Sequence, residues 1–289
     1  MEELTPVRLP VEEMPQIEEK DMPFVKAGDI EIHYERAGNG PRLLFISGTG
    51  GDLRNKPNVM DGPLPKHFDM LAYDQRGLGQ TSKPDAPYSM AQYAEDAVNL
   101  MAAIGWQSAM VIGVSFGGMV AQELAIRHPH TVEALVLACT SPGGKGGASY
   151  PLHELQHMSR EERARHMIPI SDRRHDDAWA KTNPETYEQL VAMAAADPFA
   201  DEPGHEMGQR RQLEAREKHD TWDRLGDIRS PVLISAGKYD GIALPETQEK
   251  MASRIPHAEL KFYEGGHLFM LQDRQAFPDM ISFLTGGMA

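Results

Sequence analysis

The chain has 289 residues, 40 % of them apolar and 25 % charged, which is the balance of a globular protein with one large core or a core plus an insertion. Its formal net charge of −14 repels nucleic-acid phosphates, so nucleic acid is not an expected partner, and neutral or cationic small molecules are the easier ones. No run of eighteen or more apolar residues is present, so no membrane-spanning helix is expected.

Residues 1–22 are rich in Glu and Pro without periodicity and read as an N-terminal arm; MEELTPVRLP has neither a basic n-region nor an apolar h-region, so no secretory signal is expected. FVKA, a Gly28-Asp29 turn and IEIHYER read as a β-hairpin, and GNGP (38–41) as a further turn. RLLFIS (42–47) and MLAY (70–73) have the continuous apolar character of buried parallel strands. Ser89-x-x-Gln92 predicts a capping box opening a helix to Ile104, with Tyr93, Ala97, Leu100 and Met101 on one face. AMVIGVS (109–115), a helix over 116–127 and VEALVLACT (132–140) continue the alternation, which predicts a parallel sheet covered on both faces. Cys139, the one cysteine, falls in the apolar run ALVLAC as a small core residue; a single thiol excludes an intramolecular disulfide and fits a cytoplasmic location. SPGGKGG (141–147) reads as a flexible loop opening a polar, helical insertion. The alternation resumes with PVLISAGKYD (231–240), a helix over 245–254, AELKFYEGG (258–266) and a last helix to Leu284. The expected organisation is therefore an arm (1–22), an α/β core in two parts (23–141 and 229–289) and a helical insertion (142–228).

Gly113-Val114-Ser115-Phe116-Gly117 stands where a strand ends and a helix begins. A serine in so tight a turn is exposed and strained, and only small neighbours avoid clashing with it. A serine hydroxyl needs a base, and the base an orienting carboxylate. In the order Ser…Asp…His, Asp240 ends the run PVLISAGKYD, and His267 follows KFYEGG. Of twelve histidines only His267 has that position; His33, His67, His128, His130 and His257 fall on surface-like segments. Acyl transfer also needs donors for an oxyanion, and the N–H groups of Phe116 and of Thr49, in the glycine-rich SGTGG loop, are the candidates. No Lys-Ser/Thr pair or dinucleotide spacing accompanies that loop, so no nucleotide cofactor is expected.

With SGTGG, DQRGLGQTS (74–82), GVSFGG, Asp240 and GGH ending at His267, the chain resembles the α/β-hydrolases from about residue 24 to 284. The resemblance implies a mostly parallel sheet with helices on both faces and the insertion as a cap over the active site. It implies that Asp74 and Arg76 brace the site's floor rather than react. The family usually carries His-Gly in the oxyanion loop, where this chain has Ser47-Gly48.

A competing motif lies in the insertion. PLHELQH (151–157) contains His-Glu-x-x-His, the pattern that sets two zinc ligands on one helical face. Its third ligand is missing, since Arg163 follows six residues after His157, so His153, Glu154 and His157 are expected to form a face of a cap helix, with no metal. Serine chemistry leaves ester or lactone hydrolysis, C–C bond hydrolysis, acyl transfer and cofactor-free perhydrolysis open, as well as a ligand receptor that keeps the triad. C–C hydrolases take dianionic substrates, which the acidic chain disfavours. Expected substrate contacts are Gly48, Trp179, Met193 and Trp222. Residues 182–209 hold six acidic residues and no Lys or Arg, and SGTGGDLR with the cap length resembles macrolide esterases. The expected partner is thus a small-molecule ester or lactone, bulky and cationic in the sharpest form of the expectation.

Overall fold

The computed structural model describes residues 24–286, so the expected N-terminal arm lies outside the described residues. Eight strands form one sheet in the order β1-β2-β4-β3-β5-β6-β7-β8. β1 (Phe24–Ala27) and β2 (Ile30–Ala37) make the expected hairpin, and β2 pairs antiparallel with β4 (Asp69–Tyr73). From β4 onward every pairing is parallel, through β3 (Arg42–Ile46), β5 (Ala109–Val114), β6 (Val132–Ala138), β7 (Val232–Gly237) and β8 (Glu259–Tyr263).

The continuous apolar strands divide their side chains between two cores, because successive residues face opposite sides of the sheet. Leu44 and Ile46 join Leu135 and Leu137 on one face, beneath α1 (Met90–Ala103), α2 (Phe116–Arg127) and α7 (Pro245–Arg254). Leu43 and Phe45 join Val136 and Leu233 on the other, beneath the short α8 (Phe269–Gln272) and α9 (Ala276–Leu284). This is the α/β fold the alternation implies. Ser89 caps α1 by accepting the Gln92 N–H, but the return bond of a full capping box is not formed. Cys139 is buried in the second core.

Between β6 and β7 the chain leaves the sheet to form α3 (Arg160–Ser171), α4 (Asp177–Thr182), α5 (Pro184–Ala195) and α6 (His205–Glu217). Ala164 and Ile168 of α3 meet Val191 of α5 in a small core of their own. The glycine-rich stretch before them is tied down, contrary to expectation. Gly143 bridges to Gly147 and to Asp220, and the Thr221 N–H donates to the Pro142 carbonyl at 2.8 Å. Gly143 has φ +71°, and a Cβ there would lie 1.9 Å from the His219 carbonyl oxygen, so its missing side chain serves close packing. No helix among the described residues is long and apolar enough to cross a membrane.

Candidate active site

Ser115 sits between the end of β5 and the first turn of α2 with φ 53° and ψ −112°, a conformation that costs of order 1–3 kcal/mol in a residue with a side chain. The surroundings hold it there. Its N–H donates to the Ala138 carbonyl at 2.8 Å, and its carbonyl accepts the Thr140 hydroxyl at 2.7 Å. The turn also needs glycine at both ends: a Cβ on Gly117 would stand 2.0 Å from the Ile46 carbonyl, and one on Gly113 would stand 2.5 Å from the Gly117 carbonyl.

Asp240 lies in the turn beyond β7 and is fully buried. Its Oδ1 accepts the N–H groups of Ile242 (2.7 Å) and Ala243 (3.0 Å), which fixes the carboxylate and leaves Oδ2 for one partner. That partner is His267 Nδ1 at 2.8 Å, and His267 Nε2 lies 2.9 Å from Ser115 Oγ. With the proton on Nδ1 donated to Asp240, Nε2 carries the lone pair and accepts the serine proton. The His267 N–H is itself anchored by the Ser171 carbonyl at the end of α3, at 2.6 Å. Burial, with Asp240 nearby, raises the Cys139 thiol well above its usual range and keeps it protonated.

The Thr49 and Phe116 N–H groups make no hydrogen bond among the described residues, and Thr49, Gly48 and Ser115 line the same cavity. Two glutamines that sequence reasoning did not single out hold this loop. Gln75 Nε2 donates to the Ser47 carbonyl at 2.9 Å, and Gln212 Oε1, from α6, accepts the Gly50 N–H at 2.9 Å. Gln75 lies within DQRG and was within reach of the sequence; nothing in α6 marks Gln212.

Beneath the loop Asp74 braces the floor. Its carboxylate accepts the Leu53 N–H (2.8 Å) and the Gln80 N–H (2.9 Å) and faces His33 Nδ1 at 2.9 Å. His33 is therefore not a surface residue but a buried one, placed against Asp74 by the pairing of β2 with β4. Arg76, also buried, forks onto Asp96 and Asp29, whose carboxylates hold the guanidinium's pKa above its ordinary value.

A cavity of about 490 Å3 opens over Ser115 and His267, walled by Leu152, Met167, Leu213, Ile242 and Leu268. Of the expected substrate contacts, Gly48 lines it and three do not. Met193 is 74 % exposed while its neighbour Ala194 faces the cavity, because one residue along a helix turns the side chain by about 100°. Trp179 lies against His175, with ring centroids 4.2 Å apart. Trp222 packs beside the core under Arg254, whose guanidinium is 4.6 Å from the ring centre. A large apolar residue announces burial or packing, not which side of a helix meets a ligand.

HELQH forms a 3-10 helix over Leu152–His157. At three residues per turn His153 and His157 project about 120° apart, not on the single face that two zinc ligands require. His153 Nε2 instead stands 3.8 Å from Glu217.

The geometry is that of a serine whose proton has somewhere to go, with one unengaged backbone N–H next to it in the chain, at Phe116, and another at Thr49, which lines the same cavity. A family profile describing the alpha/beta hydrolase fold matches residues 41–273. The chain belongs to the alpha/beta hydrolase family. Among its relatives, 3-oxoadipate enol-lactonase 2 of Acinetobacter baylyi is 26 % identical over 273 residues, covering 91 % of this chain and 96 % of that protein. A Caulobacter vibrioides protein provisionally named a carbamate hydrolase is 31 % identical over 267 residues, covering 88 % of this chain and 96 % of its own. In fold, the alpha/beta hydrolase resembles the crystal structure of the enol-lactonase from Burkholderia xenovorans, with a TM-score of 0.74 at 24 % identity, covering 91 % of this chain and all of that one.

Proposed function

We propose that this hydrolase cleaves a carboxylic ester or lactone through an acyl-enzyme on Ser115, and that residues 142–228 act as a cap over the site. The observation that carries the reading is the unbroken line from Ser115 Oγ through His267 to Asp240, beside the two unengaged N–H groups of Thr49 and Phe116. Ser115 Oγ attacks the carbonyl carbon as His267 Nε2 takes its proton. The carbonyl oxygen becomes an oxyanion held by the Thr49 and Phe116 N–H groups, while Asp240 stabilises the imidazolium. Collapse breaks the C–O bond, and His267 returns the proton to the departing alkoxide. Water, deprotonated by His267, then attacks the acyl-enzyme; the acyl–Oγ bond breaks, His267 returns the proton to Ser115 Oγ, and the acid is released. An enol-lactonase among the relatives is consistent with this class of bond.

Nothing supports the cationic-lactone expectation, and part of the attraction behind it is taken up within the molecule. Of the six carboxylates in 182–209, Glu188 is paired with Arg165, Glu202 with Arg54, and Asp197 with His205, so half the expected attraction is already spent inside the molecule. A macrolide is therefore not part of the proposal. The test is turnover of aryl esters, simple lactones and an aryl carbamate by the purified protein. Ester and lactone hydrolysis well above the carbamate supports the reading; carbamate hydrolysis alone removes it.

A further inference from the structure

Arg163 projects from α3 into the main cavity and also borders two adjoining cavities of about 170 and 340 Å3. Its neighbours on the helix are engaged: Arg160 faces Asp197 at 3.8 Å, and Arg165 bridges Glu161 and Glu188. Arg163 has no carboxylate partner among the described residues, although it is partly buried. A guanidinium cannot lose its charge at neutral pH, so it stands as a fixed cation in a cavity otherwise walled by apolar and neutral groups and His267.

A second group independently asks for an acceptor. Gln212 is fully buried and lines the same cavity. Its Oε1 is committed to the Gly50 N–H, which assigns Nε2 as the amide's donor end, and that Nε2 has no partner. The nearby acids are taken, Asp52 by Arg54 and Asp197 by His205, while Glu206 shares the outer cavity with Arg160, Arg163 and Arg210.

We propose that Arg163 anchors a carboxylate on the substrate, remote from the scissile bond, so that the enzyme's preferred substrate is an anionic ester or lactone. The proposal rests on the ester-hydrolase reading. One unpaired guanidinium beside neutral amides matches a single negative charge; a phosphate dianion would lack a second Arg or Lys in the main cavity. Placing the charge at Arg163 and the carbonyl at Ser115 fixes both ends of the substrate, which selects for separation as well as charge.

The experiment compares 4-nitrophenyl esters ending in a free carboxylate with length-matched esters ending in a methyl ester, for the wild-type chain and for Arg163→Gln and Arg163→Lys. The ratio of kcat/KM, anionic over neutral, should exceed tenfold in the wild type, fall at least tenfold in Arg163→Gln and be partly kept in Arg163→Lys. In parallel, calorimetric titration of glutarate, a product-like dicarboxylate, should show at least tenfold weaker binding to Arg163→Gln. Neutral esters turned over as well as anionic ones, or a preference and a glutarate affinity untouched by Arg163→Gln, overturn the proposal. If no ester of either kind is cleaved, the ester-hydrolase reading fails, and the glutarate titration still decides whether Arg163 binds a carboxylate.

Discussion

Gln212 and Gly50 lie 162 residues apart in the chain, and the 2.9 Å hydrogen bond between them ties α6 to the loop that carries Thr49. The loop needs such a tie. It turns away from β3 with little internal bonding beyond Gly51 N–H to the Gly48 carbonyl at 3.3 Å, so its donors are aimed by neighbours. Gln75 holds one end at Ser47 and Gln212 holds the other at Gly50.

Replacing Gln212 by Leu keeps the volume roughly and removes the tie. Loss of an oxyanion donor outright costs about 10²–10³ in rate, and loss of a donor's alignment costs less. With a neutral ester, which lacks the carboxylate that Gln212 Nε2 could meet, Gln212→Leu should lower kcat about ten- to a hundredfold with a much smaller change in KM, in a protein whose thermal midpoint shifts little. A change in KM alone would assign Gln212 to substrate affinity instead of loop alignment.

The serine turn makes a packing prediction. A Cβ on Gly117 would meet the Ile46 carbonyl at 2.0 Å, and backbone cannot swing aside as a side-chain tip can. Gly117→Ala should lose about 3 kcal/mol or more of stability, at the upper end of overpacking costs, read as a drop in the urea midpoint. A soluble, active Gly117→Ala protein of wild-type midpoint would show that the turn is looser than this geometry requires.

Most of the fold was legible because buried parallel strands and amphipathic helices leave local signatures. The α2 span 116–127 and the α7 span 245–254 coincide with the expected helices, and Ser115, Asp240 and His267 meet because each closes a recognisable strand. What failed depended on contacts between distant segments. His33 looked like a strand's polar face until Asp74 was brought against it, and the stretch 141–147 looked slack until Asp220 packed on it. Trp179, Met193 and Trp222 were expected at the cavity by size, yet the wall there is built by Ala164, Ala194 and Leu213, residues with no distinguishing chemistry. Gln212 acts through an amide pointing across the molecule, which periodicity in α6 does not reveal.

Asp240→Asn tests the orienting role. The asparagine can still contact His267 but favours the wrong tautomer, and in comparable triads this costs about four orders of magnitude in kcat. The Ile242 and Ala243 N–H groups would still find an amide oxygen, so the variant should remain folded by circular dichroism. Near-wild-type turnover would point to another carboxylate.

His219 predicts a pH dependence of stability rather than of rate. It is buried, and desolvation lowers its pKa from 6.5 to about 4 in the folded chain. The unfolded chain therefore binds the extra proton first as pH falls, so stability is fully present above about pH 6.5 and is lost as pH drops toward 4. The whole loss, reached only below the folded value, is on the order of 3 kcal/mol. Urea unfolding at about pH 7.5, 6.5 and 5.5, above the range where most carboxylates titrate, should show the midpoint falling in the wild type and falling less in His219→Gln. Equal slopes would exclude His219 as the source.

The most direct measurement is the site of covalent labelling by a fluorophosphonate. Phosphonylation requires a serine deprotonated by its neighbour, as His267 is placed to do at Ser115, and an oxyanion pocket for the phosphoryl oxygen, the role proposed for the Thr49 and Phe116 N–H groups. Intact-mass and peptide analysis should find one phosphonyl group per chain, on Ser115, with hydrolysis lost in step, and no label on Ser115→Ala. Ester hydrolysis that continues in Ser115→Ala, or in a wild-type protein that the probe leaves unlabelled, would contradict the account.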